Sequence, residues 1–84
     1  MKAMRGYGTP IDLAFALTVR RLRTHKGLTL EMLAEAAGVN PQHIAEIESG
    51  GSVDLLEIAR LALGLRVTVA SLILEFEWSL GGRA

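Results

Sequence analysis

The sequence predicts an all-α fold of five helices, and three observations predict it. Apolar residues recur every three or four positions in five separate runs, the spacing of helices that bury one face. A side chain able to cap a helix stands before each run: Thr9, Thr29, Asn40, Asp54 and Thr68. Two of those caps, Thr9 and Asn40, are followed by proline at the first helical position, where its missing N–H costs nothing.

In the first run Ile11, Phe15, Val19 and Leu22 form one apolar stripe, with Arg20, Arg21 and Arg23 off it. Asp12 lies in the first turn, where the helix dipole favours an acid, and Gly27 is the stop. The second run presents Leu30, Leu33, Ala34 and Ala37, a narrow face suited to close packing, and ends at Gly38. Val39 then plugs the turn, and Asn40 caps a third helix in which Ile44 and Ile47, with Ala45 beside them, are the buried set. Gln42, His43, Glu46 and Ser49 are left facing outward. After the flexible "SGGS", Asp54 caps a fourth helix with Leu55, Ile58, Ala59 and Ala62 inward and Gly64 at its end. The β-branched "VTV" at 67–69 hints at a strand, but the length of the run and the helical spacing of Val69, Leu72, Ile73, Phe76 and Leu80 favour a fifth helix. Leu74 and Trp78 point roughly opposite that stripe, so this helix is apolar on two sides.

At 84 residues the chain is one small domain, and a chain of this size buries only about 60–65% of its unfolded surface. Half of its residues are hydrophobic, which points to a partner for part of the apolar surface, most simply a second copy. Residues 1–9 read as an arm, 10–80 as the folded domain and 81–84, "GGRA", as a frayed tail. With no cysteine there is neither a disulfide framework nor a thiolate metal site. "MKAMRGYGTP" has no apolar core of signal-peptide length, and no stretch approaches the roughly 20 apolar residues of a membrane span. The expected location is the cytoplasm.

The net charge of zero hides an asymmetry. Residues 1–30 carry six cations, Lys2, Arg5, Arg20, Arg21, Arg23 and Lys26, against Asp12 alone. Residues 31–84 carry three cations against eight acids. The first half alone is equipped to meet a phosphate backbone, although a solvated basic face is the plainer account of the charge run.

Catalytic chemistry finds no support. Glu46 and Glu48, like Glu75 and Glu77, are two apart on a helix and point in different directions, so neither is a convergent acid–base pair. His25 and His43 have no acid or thiol at metal-ligand spacing, and without strands there is no phosphate-cradling loop. No enzyme activity, metal or cofactor is expected.

Two short helices joined by "AGVN" fit the helix-turn-helix, whose second helix enters the DNA major groove. Residues 13–73 resemble the Cro and phage-repressor type of helix-turn-helix, also called the xenobiotic-response-element type, with a lambda-repressor-like fold. The match lies in Arg20-x-x-Arg23 and the following Gly27, in Leu33-Ala34, Gly38-Val39 and Ile44, and in Ile47-Glu48-x-Gly50. Small stand-alone members include the controller proteins of restriction–modification systems. The resemblance implies a sequence-specific transcriptional regulator acting as a homodimer on a two-fold double-stranded DNA operator. It implies that Arg23 and Glu48 form a structural ion pair between the first and third helices. It places Asn40, Gln42, His43, Glu46 and Ser49 toward DNA. Gln42 suits an adenine edge, Glu46 a cytosine amino group, and His43 a phosphate or a guanine. Thr29 matches a phosphate-touching position at a helix N-terminus. Arg20, Arg21, Lys26 and Asn40 are further phosphate candidates, with Lys2 and Arg5 of the arm, and Leu74 and Trp78 are the expected dimer contact.

Three departures stand out. Leu30 replaces a glutamine that contacts the DNA backbone in the family, the loop after Gly50 is short, and the third helix lacks Arg and Lys. The same fold also serves an antitoxin holding a toxin on its C-terminal apolar surface. Leu30 and Glu46 are the features that favour a protein-interaction module without DNA.

Overall fold

The computed structural model describes residues 9–82. They form α1 (Pro10–His25), α2 (Leu30–Ala37), α3 (Pro41–Glu48), α4 (Leu55–Leu65) and α5 (Val69–Glu77), then one wider helical turn, Trp78–Gly82. Among the described residues there is no strand. The arm with Lys2 and Arg5 and the last two tail residues, 83–84, lie outside the described residues; Gly81 and Gly82, read as tail, belong to the final turn.

Each helix starts on a side-chain cap. Thr9 Oγ1 accepts from Asp12 N at 3.0 Å, Thr29 Oγ1 from Met32 N at 3.0 Å and Asn40 Oδ1 from Gln42 N at 2.7 Å. Thr68 Oγ1 accepts from Ser71 N at 3.0 Å. Asp54 Oδ1 accepts from Glu57 N at 2.8 Å while Glu57 Oε1 accepts from Asp54 N at 2.9 Å, a reciprocal capping box. Each cap satisfies an N–H that the helix itself cannot, an interaction of about 1 kcal/mol.

The core joins all five helices through Phe15, Val19, Leu33, Ala34, Ile44, Ile47, Leu61, Ala62, Leu65 and Leu72. The Phe15 and Phe76 rings meet edge to face with centroids 5.6 Å apart. Four expectations about packing are corrected. Gly64 does not end α4; the helix runs on to Leu65, and Arg66 takes the left-handed conformation at φ 61°. Gly64 is instead a contact residue, because a Cβ there would stand 2.9 Å from both Ala37 Cβ and Leu33 Cδ1. Its missing side chain lets α4 lie close against α2. The buried face of α4 is Ile58, Leu61, Ala62 and Leu65, and Leu55 and Ala59 point outward. The same i, i+3, i+4, i+7 template fits both sets, offset by three residues, so periodicity alone does not choose between them. Ile11 on α1, and Val69 and Leu80 at the two ends of the α5 stripe, are likewise exposed.

The C-terminal segment leans on α1. Thr18, fully buried, donates to Ala14 O at 2.9 Å and lies 2.8 Å from Ser79 Oγ. Arg21 Nη2 donates to Glu75 Oε1 at 3.0 Å.

Candidate nucleic-acid interface

The turn between α2 and α3 depends on Gly38, at φ 74°, a conformation a side chain would strain. Val39 N then donates to Ala34 O at 3.0 Å, and the Val39 side chain packs on the core. From α4, Arg60 Nη1 donates to Gly38 O at 3.0 Å and fastens the turn from outside. Asn40 and Pro41 restart the chain as a helix. Ile44 and Ile47 are its buried anchors, so the opposite face of α3 is held toward solvent.

Arg23 fixes the C-terminal end of α3. Its Nε and Nη2 donate to Glu48 Oε2 and Oε1 at 2.7 and 3.0 Å, and its Nη1 donates to Leu28 O at 2.8 Å. One guanidinium therefore ties α1, the α1–α2 turn and α3 together. The side chains of Arg23 and Glu48 are only 14% and 8% exposed, and the hydrogen bond donated to Glu48 holds the guanidinium pKa above its ordinary value.

The structure brings Gln42, His43 and Glu46 together on α3, with Asn40 at its start; Gln42, Glu46 and Asn40 are exposed and His43 is half-buried. Ser49 stands at the far end, and its hydroxyl donates back to Ala45 O at 2.9 Å. Thr29 opens α2 as its cap, leaving its hydroxyl proton available for an anion. Arg20 and Lys26 are exposed on and just after α1. Arg21, grouped with them as a phosphate candidate, is turned toward the C-terminal segment, where Glu75 of α5 and, at 3.4 Å, Ser79 Oγ of the final turn hold it.

No metal site is expected at His43 from the sequence; the fold sets carboxylates against both ring nitrogens, one from three residues on in the same helix and one from another helix. Nδ1 lies 3.3 Å from Glu46 Oε1, and Nε2 meets Glu57 Oε2 from α4. The two acids address opposite edges of the ring and do not converge on a common point, and among the described residues no group of acids and histidines is able to hold a metal. The Glu57 contact is the main cause of a raised His43 pKa; partial burial opposes it and Glu46 adds to it.

The helix-turn-helix family profile matches residues 19–72, more than half of the chain. The chain belongs to the helix-turn-helix family. Within it the Cro and phage-repressor type fits, as the residues of the turn indicate. Membership makes it a DNA-binding transcriptional regulator and not an enzyme. The fold is similar to the restriction-modification controller protein C.AhdI from Aeromonas hydrophila, 34% identical, with a TM-score of 0.69 over 73% of this chain and 94% of that one. It is similar to the clp gene regulator ClgR from Corynebacterium glutamicum, 31% identical, with a TM-score of 0.77 over 87% of this chain and 79% of that one. The controller protein C.Esp1396I shares the fold at a TM-score of 0.82 and 17% identity, over 89% of this chain and 99% of that one. No curated protein matches the chain.

Three cross-helix contacts around this helix-turn-helix escaped sequence reasoning. Glu57, Arg60 and Glu75 all act across helices, and only Glu57 had a local signal, the Asp54-x-x-Glu57 spacing of a capping box. Leu30, which departs from the family's glutamine, packs against the hydrophobic core.

Proposed function

We propose that this helix-turn-helix regulator recognises a specific operator as a homodimer, with α3 lying in the major groove. The observation that carries the proposal is the outward presentation of Gln42, His43 and Glu46 on a helix whose inner face is locked by Ile44, Ile47 and the Arg23–Glu48 bridge. Gln42 suits an adenine edge and Glu46 a cytosine amino group. Arg20, Lys26, Thr29 and Asn40 supply phosphate contacts that position the helix, and Arg21 joins them only by leaving Glu75.

Leu74 and Trp78 of the C-terminal segment are 65% and 54% exposed, and they line one groove with Leu80 and Glu77. A second copy seated there would set two α3 helices about one DNA turn apart, ~34 Å. Replacing Leu74 with Glu, at a position where folding does not need it, is expected to leave a folded monomer in sedimentation equilibrium. Such a regulator works where its operator DNA is, which assigns it to the cytoplasm. The antitoxin reading instead seats a toxin on the same exposed C-terminal surface of Leu74 and Trp78; co-purification of a toxin with the native protein would support that reading.

A mobility-shift titration against genomic fragments tests the proposal. Binding is expected to weaken steeply with salt, since each phosphate contact releases condensed cations. A protein with no bound species at low salt is not a DNA reader.

A further inference from the structure

Both oxygens of the Glu57 carboxylate are engaged. Oε1 accepts from the Asp54 N–H at 2.9 Å, and Oε2 meets His43 Nε2. Across the same imidazole, Nδ1 lies 3.3 Å from Glu46 Oε1. A line of contacts thus runs from the backbone at the start of α4, through Glu57 and the His43 ring, to the carboxylate assigned to base reading. Its ends differ in freedom. The Glu57 side chain is 23% exposed and bound into the capping box, whereas that of Glu46 is 57% exposed.

The chemistry of the ring makes the line directional. An ionised carboxylate only accepts, and a neutral imidazole has a single N–H to give. The imidazolium gives two and satisfies Glu57 and Glu46 together. The charges that face the ring are Glu46 on its own helix and Glu57, with Asp54 behind it, on α4. Helix α1 meets the charge of α3 at its other end, at Glu48, and α2 presents Leu33 and Ala34 to the core shared with Ile44 and Ile47.

We infer that Glu57, outside the recognition helix, is a specificity-determining positioning residue: by fixing His43 it sets where the Glu46 carboxylate is presented to the bases. The inference rests on Glu46 reading bases, as in the proposed function. A carboxylate already held in one orientation loses less rotamer freedom on meeting a cytosine amino group, so more of the contact survives as discrimination. The recognition helix then does not set its own specificity alone.

The test uses the full chain in competition binding to two duplexes, the preferred site and the same site changed at the base pair whose preference Glu46→Gln alters. Wild type is expected to discriminate by about tenfold or more, the range of one good base contact. Glu57→Gln keeps an acceptor for the capping box, so α4 still starts at Asp54, and discrimination is expected to fall to about threefold. His43→Gln, which leaves the cap untouched, should give the same loss, and the double variant no further loss, because both changes cut one line. In an NMR titration Glu57→Gln should lower the pKa of His43. If Glu46→Gln alters a base preference while Glu57→Gln keeps the wild-type ratio, or leaves the His43 titration unmoved, the positioning role is overturned and the reading by Glu46 stands. If Glu46→Gln alters no preference, both fall.

Discussion

The two ends of α3 are each tied to a neighbouring helix by a cation and a carboxylate, and the ties differ in kind. At the C-terminal end Arg23 grips Glu48 through two hydrogen bonds in a site nearly closed to water. A guanidinium does not lose its proton, so this bond is permanent while the fold lasts. At the N-terminal end His43 stands between Glu46 and Glu57 with 35% of its side chain exposed, and its charge depends on pH. The first tie belongs to the scaffold. The second lies among the residues proposed to face DNA. One helix is thus anchored rigidly where it leaves the interface and adjustably where it enters.

Breaking the rigid tie should have the largest effect. Glu48→Ala leaves the Arg23 guanidinium unpaired in a nearly dry site, and urea unfolding is expected to show a loss of about 3 kcal/mol. Replacing Arg23 and Glu48 together by Met should recover most of it, because the cost comes from the orphaned charge. Gly64→Ala comes next. Its Cβ would stand 2.9 Å from Ala37 Cβ, so α4 must shift from α2 at a cost of about 1–3 kcal/mol. Since α4 carries Glu57 and Arg60, this change should also disturb the N-terminal end of α3, visible as shifted amide resonances at Gly38 and His43.

The smallest effect separates the ties by pH. The folded-state pKa of His43 is raised, so its contacts with Glu57 and Glu46 stabilise fully below the unfolded value of about 6.5 and are lost as pH rises through the folded value. The His43-dependent part of the urea midpoint, wild type minus His43→Gln, should therefore shrink as pH rises above about 6.5. The Arg23–Glu48 contribution should stay level as pH rises, the guanidinium keeping its proton.

What was legible in the sequence was local. The five caps, the two proline starts and the turn at Gly38 are each decided within about four residues, by side chains reaching the nearest backbone. The outward set on α3 was legible because Ile44 and Ile47 leave it little choice of face. The phase of α4 was not, since a helix with leucines at 55, 56, 61, 63 and 65 offers more than one apolar face, and contact with α2 through Gly64 selects among them. The departures of Arg21 toward Glu75 and of His43 toward Glu57 join residues 54 and 14 positions apart. No pattern within one helix announces them.

Selection of bound duplexes from a random library by the wild-type protein and by Glu46→Gln tests base reading by α3 most directly. A two-fold symmetric site with half-sites about one helical turn apart is predicted, with the variant changing preference at the same position in each half. Absence of an enriched site, or a variant that selects the same sequence as wild type, would contradict the claim that this helix reads DNA through Glu46.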